Sequence, residues 1–315
     1  PSKQSTHTVA QSSYQGDVLG ELSQAVREAG MKLGVYLSPW DRNHPAYGTP
    51  EYNDVFKAAL EEVLTQYGRV DEVWFDGANP KPGTGQTYAY DAWYDLIRNI
   101  APGAVIAIKG PDVRWCGNEA GQTRASEWSV IPIGAAPDDW QWPDMTALDL
   151  GGLDHLRETL DAGGFLHWYP AEVNTSIRHG WFWRDEQQHV KSADEIFEIW
   201  ERAVGGNAVF LLNVPPDRRG RFADRDVEVL REVGHRLRAT YANDLAAGAT
   251  ATASHARAGH FTPEAAIDGD RATCWATPDW AGPATLEITL PEPRRVSRIS
   301  LREDIARFGE IATSY

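Results

Sequence analysis

Apolar residues recur at helical spacing in five stretches of the chain, and each stripe ends at a glycine with a short β-rich run a few residues later. Val18, Leu19, Leu22, Ala25, Val26 and Ala29 follow i, i+3/i+4 spacing, Gly30 comes next as a left-handed cap, and KLGVYL follows. Val55, Phe56, Ala59, Leu60, Val63, Leu64 and Tyr67 repeat the pattern, ending at Gly68 before VDEVWF. Further instances are the helix near Trp93 to Ile97 before Gly103 and AVIAI, the helix near Leu153 to Leu160 before Gly163, Gly164 and FLHWY, and the helix after Ser192 before Gly205, Gly206 and NAVFLL. Ser192 with Glu195 has the spacing of a capping box.

Runs of consecutive apolar residues read as strands buried on both faces, and their alternation with helices makes the sheet parallel. Gly30, Gly68, Gly103, Gly164 and Gly206 are 38, 35, 61 and 42 residues apart. The long interval leaves room for one more strand, placed at TRASEWSV, which brings the number to six. A closed (β/α)8 barrel needs two more strands and roughly 70–80 further residues upstream. An open doubly wound sheet needs none, but GTGQTY carries only two of the three glycines of a dinucleotide turn and reads as a plain loop.

Near Tyr241 helical periodicity gives way to a small, polar, turn-rich stretch, then to ATLEITL and VSRISL, which alternate with period two between prolines. The expectation is a mixed α/β unit over residues 1–242 and the beginning of a β-sandwich over 243–315.

The chain has 315 residues and a net charge of −15, with no basic run, which excludes nucleic acid as a partner. No apolar run is long enough to span a bilayer. Cys116 and Cys274 are too few for a disulfide framework or a thiolate zinc site, and the histidines show no metal-binding spacing.

In a parallel barrel the C-terminal strand ends carry the chemistry. The polar residues there are Tyr36, Trp40 and Asp41; Asp76; Lys109 and Asp112; Glu127 and Trp128; His167, Trp168 and Glu172; and Asn213. Carboxylates predominate, with tryptophans beside them, among 13 in the chain. Paired carboxylates suit glycosyl transfer, one protonating the leaving oxygen while the other attacks, and indole faces stack on sugar rings. Each also has a plainer use: an aspartate before glycine forms turns, an acid in RWCGNEAG can be solvated, and tryptophans fill cores.

SKQSTHTV, GVYLSPWDRNHPAYGTPEYND, VDEVWFDGAN, RWCGNE and AEVNTSIRHGWFW together resemble the family 29 glycoside hydrolases, the α-L-fucosidases, over about residues 2–240. The resemblance is strongest to the branch that prefers α-1,3/1,4-linked fucose. It implies a (β/α)8 TIM-like barrel lacking its first two strands, followed by a partial all-β sandwich, in a bacterial exo-acting retaining enzyme. It assigns Asp76 as nucleophile and Glu119 as acid/base, with Glu127 the runner-up acid. Tyr36, Trp40, Asp41, Glu172, Arg178 and Trp181 would line the sugar pocket. The family's HHDGF motif would lie ahead of residue 1, and His179 stands where the family has proline. AAIDGDRATCWAT resembles a discoidin-like domain of the kind used as a family 32 carbohydrate-binding module. That likeness implies a structural calcium at Asp268 or Asp270; catalysis implies no cofactor. Fucosylated glycans are the expected partners, and a secreted, periplasmic or cell-surface setting fits them. The alternatives are a non-catalytic glycan-binding protein or another retaining glycosidase such as a galactosidase.

Overall fold

The computed structural model describes residues 2–77, 86–133 and 150–304. In order, its elements are α1 (Val18–Glu28), β1 (Gly34–Leu37), α2 (Tyr52–Gln66), β2 (Glu72–Phe75), α3 (Tyr90–Ile100), β3 (Val105–Ile108), β4 (Arg114–Trp115), β5 (Val130–Ile133), α4 (Leu153–Asp161), β6 (Phe165–Trp168), β7 (Ala171–Ser176), α5 (Ala193–Gly205), β8 (Ala208–Asn213), α6 (Asp224–Tyr241), β9 (Thr250–Ala253) and β10 (Leu286–Thr289). They fall into two compact units, residues 1–118, 130–151 and 155–173 in the first and residues 119–129, 152–154 and 174–315 in the second. Part of GTGQTY, residues 83–85, lies outside the described residues.

In the first unit β1, β2 and β3 pair in parallel, with Gly34, Glu72 and Val105 in one row and Tyr36, Trp74 and Ala107 in the next. Period-two alternation then divides the side chains. Val35, Val73, Phe75 and Ile106 turn into one core with Phe56, Leu60, Leu64, Trp93 and Ile97 of α2 and α3. Glu72 and Trp74 lie on the other face and are only half buried. The consecutive apolar run of VDEVWF is therefore not buried throughout: Val73 and Phe75 have no exposed surface, and Trp74 does. Within the core the Phe56 and Trp93 rings lie 4.4 Å apart, with Phe75 6.0 Å from Phe56.

The sixth strand is not TRASEWSV, where the chain runs irregularly until Val130. The parallel strand in that interval is the two-residue β4, bridged to β3 through Ala107 and Val113 and paired in parallel with the start of β7. FLHWY forms β6, but its partner is β5 and the pairing is antiparallel. Apolar content marked FLHWY as a strand without indicating its partner or direction, which depend on distant residues. The turn from β3 to β4 is tight: Ile108 has φ of 69°, and a Cβ on Gly110 would come within 2.4 Å of the Ile106 side chain and 2.7 Å of its carbonyl. Asp112 is consumed here, accepting from the Ile106 N–H at 2.8 Å and pairing with Arg98 at 2.5 Å.

In the second unit Ile177, Ile196, Val229 and Val233 make a core between α5, α6 and the end of β7, and β8 adjoins β7. The capping box at Ser192 and Glu195 forms as the spacing predicts. The helix stop falls at Gly205 and Gly206 as the sequence predicts, but the left-handed residue comes one position later. Gly206 is packed too closely for a side chain, 2.6 Å from the Arg202 carbonyl to a built Cβ, and Asn207 takes the left-handed conformation at φ 65°. Asparagine tolerates that region, and its amide bonds the Glu127 carbonyl at 2.8 Å and the Ser129 hydroxyl at 2.9 Å.

Residues 243–304 belong to the second unit. β9 and β10 pair antiparallel there, so ATLEITL contributes a strand, whereas VSRISL does not. Val296, Ile299 and Leu301 of that run are exposed, with no strand beside them among the described residues to complete a ladder. No helix among the described residues is long and apolar enough to cross a membrane.

Trp93 is fully buried against four aromatic rings. Trp93→Ala is expected to cost about 3–5 kcal/mol of stability in chemical denaturation. A loss below 1 kcal/mol would mean that this core does not carry the β1–β3 layer.

Candidate active site

The ladder of β1, β2 and β3 continues one residue past the strands: the Asp76 N–H donates to the Leu37 carbonyl at 3.3 Å, and the Lys109 N–H to the Phe75 carbonyl at 3.3 Å. Asp76 and Lys109 therefore emerge at one sheet edge. The Tyr36 hydroxyl donates to the Asp76 carboxylate, and its ring stacks on Trp74 with centroids 5.3 Å apart. Desolvation in this stack, then the bond to Asp76, pushes the Tyr36 phenol above its ordinary range. Trp74 donates its indole N–H to Glu172 at 2.8 Å. Lys109 stands 5.8 Å over the Tyr90 ring, and burial lowers its ammonium to about 8.

Glu172 is 2 % exposed and lies within β7, so it does not project from a strand end into open solvent. Burial first, with the neighbouring Glu72 adding to it and the Trp74 bond opposing, raises its carboxyl to about 7. Trp40 is exposed, with Arg42 6.0 Å over its ring, while Asp41 caps its own turn through the Asn43 and His44 N–H groups at 2.7 and 2.9 Å. His167 bonds the Pro111 carbonyl at 2.8 Å. Trp168 is half exposed.

In the second unit Glu119 is exposed, and Trp181 donates its indole N–H to the carboxylate at 3.2 Å. The loop carrying Glu119 lies close over α5: at Gly121, with φ of 76°, a Cβ would stand 3.0 Å from Ile199. Trp181 is itself placed by Asn213, whose amide donates to the Trp181 carbonyl at 3.0 Å and to the Ser176 hydroxyl at 2.9 Å.

Arg178 and Glu127 are in other roles than the sequence suggested. Arg178 is 1 % exposed and forms a buried pair with Asp226 of α6 at 2.8 Å, donating also to the Asp185 carbonyl at 3.2 Å. Glu127 is fully buried beside Arg124, 3.0 Å away, and accepts the Arg124 N–H at 2.8 Å. Of the two carboxylates, Glu127 is enclosed and Glu119 faces solvent. His179 uses what a proline lacks: its N–H donates to the His189 carbonyl at 3.1 Å, tying the Trp181 loop to the strand-like return at Val190.

In the tail, Asp268 accepts from the Asp270 N–H at 2.8 Å and the Thr273 hydroxyl at 2.7 Å, and Asp270 accepts from the Ala272 N–H at 2.9 Å. Three of the four carboxylate oxygens are thus used by the turn, and no group of three metal-ligating side chains occurs among the described residues.

Trp74, Asp226 and Ser176 were not singled out from the sequence. Trp74 could have been: it lies two residues before Asp76 in a strand, hence on the same face. Asp226 could not, because its partner is 48 residues away.

A parallel βα sheet with carboxylates beside tryptophans at its strand ends is the scaffold of the sugar hydrolases. The chain belongs to the alpha-L-fucosidase family, whose model matches residues 1–241. It is 34 % identical to alpha-L-fucosidase 1 of Arabidopsis thaliana over 99 % of this chain and 61 % of that protein. Among solved structures it resembles an alpha-L-fucosidase from Bacteroides ovatus (39 % identity, TM-score 0.71, 81 % of this chain and 46 % of that one). It also resembles a Ruminococcus gnavus fucosidase solved in complex with fucose (28 % identity, TM-score 0.79, 91 % and 62 %). The chain thus spans about half to three fifths of the length of these relatives.

Two outcomes test the electrostatics. Asp226→Ala leaves the Arg178 charge buried and alone and is expected to cost about 3–5 kcal/mol in thermal or chemical unfolding; a near-neutral result would refute the buried pair. Glu172, raised in the fold from 4.5 to about 7, favours the folded state while neutral. Its contribution is complete below pH 4.5 and lost as pH rises to about 7. The melting temperature of wild type relative to Glu172→Gln should therefore fall across that window, and a flat difference would contradict the raised carboxyl.

Proposed function

We propose that the intact protein is a retaining exo-α-L-fucosidase that removes terminal α-1,3/1,4-linked L-fucose from glycans. The family match over residues 1–241 supports the fucosidase chemistry. The observation that carries the site is the pair of aromatic donors: Tyr36 holds Asp76 and Trp181 holds Glu119, while the competing carboxylates Glu127 and Glu172 are buried.

Asp76 attacks C1 of fucose, forming a glycosyl ester as the C1–O bond to the aglycone breaks, and Glu119 gives its proton to the departing oxygen. Glu119 then takes a proton from water, whose oxygen displaces Asp76 and returns C1 to its starting configuration. The Tyr36 phenol, held protonated, steadies the Asp76 carboxylate as its charge changes. Retention requires the two carboxyl groups to come within about 5–5.5 Å in the working enzyme.

The same reading gives residues 1–242 to a (β/α)8 barrel-type catalytic domain and 243–315 to a discoidin-like carbohydrate-binding sandwich. Fucosylated glycans are the partners, and a secreted, periplasmic or cell-surface setting suits them. Trp40, Asp41 and Trp181 are the sugar-pocket residues kept in it, and the Asp268–Asp270 turn, hydrogen-bonded within itself, is the place in the sandwich where a structural calcium would be sought.

The intact protein is expected to hydrolyse nitrophenyl α-L-fucoside and to release fucose faster from α-1,3/1,4 than from α-1,2 linkages, with the α anomer appearing first by proton NMR. Asp76→Ala should lower kcat by roughly 10³-fold or more, and Glu119→Ala by about 10²–10⁴-fold, with nitrophenyl fucoside too because the second step loses its base. Turnover surviving Asp76→Ala would remove the nucleophile. Galactoside cleavage without fucoside cleavage, or fucose binding without turnover, would replace the activity.

A further inference from the structure

Glu172 is the one buried carboxylate of the first unit that touches the Asp76 assembly, and neither of the ordinary roles for a buried acid fits it. It is 2 % exposed, too enclosed to meet a sugar, and no cation pairs with it among the described residues. Its side-chain bond goes to the indole of Trp74. Glu72, two residues before Trp74 on the same face of β2, is the charged neighbour, and Cys116, just after β4, donates its N–H to the Glu172 backbone carbonyl at 2.9 Å.

The contacts form a single line through four side chains: Glu172 holds the Trp74 N–H at 2.8 Å, Trp74 stacks on Tyr36 at 5.3 Å with an interplanar angle of 24°, and Tyr36 donates to Asp76. The room for it comes from small residues. Ala107 lies beside Trp74 in the same row, and a Cβ on Gly34 would already stand 3.4 Å from Glu72. The indole packs on Ala107, Ile108 and Val113, apolar contacts that give no direction to its N–H, so the buried acceptor fixes the ring's orientation. Tyr36, 61 % exposed, depends on that plane for its own orientation.

We propose that Glu172 is a positioning residue, anchoring the Trp74 indole so that the stacked Tyr36 presents its hydroxyl to Asp76. The proposal rests on the reading of Asp76 as nucleophile. Its effect belongs to the chemical step, because Glu172 holds the group that steadies Asp76 and does not touch the sugar.

The test uses the intact protein with nitrophenyl fucoside. Glu172→Leu, which keeps volume but offers no acceptor, is expected to lower kcat on the order of 10²-fold with KM little changed, the scale of a small misplacement of reacting groups. Glu172→Gln, which keeps an acceptor oxygen, should recover most of that loss. The Trp74 indole N–H resonance, assigned by its disappearance in Trp74→Phe, should shift strongly in Glu172→Leu and little in Glu172→Gln. A folded Glu172→Leu protein with wild-type kcat, or one whose loss is wholly in KM, overturns the proposal. If Glu172→Leu does not fold, Trp74→Phe decides: it removes the donor to Glu172 and leaves a smaller aromatic ring, is expected to lower kcat in the same way, and overturns the proposal if it does not. Failure of the nucleophile reading looks different, because Asp76→Ala would then retain turnover while the indole resonance still reports the bond to Glu172.

Discussion

The parallel register that sets Gly34 beside Glu72 and Val105 governs the first unit. From it follows which side chains face the helices and which do not. Val35, Val73 and Ile106 share a core with α2 and α3, so Tyr36, Trp74 and Ala107 must share the opposite face. A slip of one residue would exchange the two sets, burying Trp74 and Tyr36 and turning Val73 to solvent. The fully buried Val73 and Phe75 make that slip costly, and the chemistry inherits the precision. Asp76 sits one residue beyond β2 because the ladder runs on through its N–H to Leu37.

In the second unit the comparable constraint is a buried charge. Arg178 and Asp226 lie without solvent, and such a pair persists only when both partners stay in place. It ties the segment after β7 to α6. Beyond it, His179 bonds His189 and Asn213 bonds Trp181, so the loop that presents Trp181 to Glu119 is fixed at three successive points.

Membership of the alpha-L-fucosidase family covers residues 1–241 and agrees with the sequence motifs, while the relatives extend well beyond the length of this chain. A retaining mechanism asks for two carboxyl groups with different duties. Here the two assigned to it are each approached by one aromatic donor, a phenol for Asp76 and an indole for Glu119. A phenol held in its protonated form can donate to a carboxylate whatever the neutral pH, and an indole has no other option.

Helical stripes, the capping box at Ser192 and the glycine stops at Gly30, Gly68 and Gly163 were legible along the chain, because each is a local preference written within a few residues. The end-of-strand position of Asp76 was legible for the same reason, and the motifs around it and Glu119 suggested the duties proposed for them. What the sequence could not settle was partnership across distance. It did not show that β6 runs antiparallel to β5, that the parallel strand is Arg114–Trp115, or that VSRISL lacks a partner strand among the described residues. Nor did it show that Arg178 bonds Asp226 or that Glu172 bonds Trp74, 98 residues away. A polar side chain carries the same letter whether it faces a ligand or a buried donor; only the tertiary arrangement, by removing water from one and leaving it at the other, decides between them.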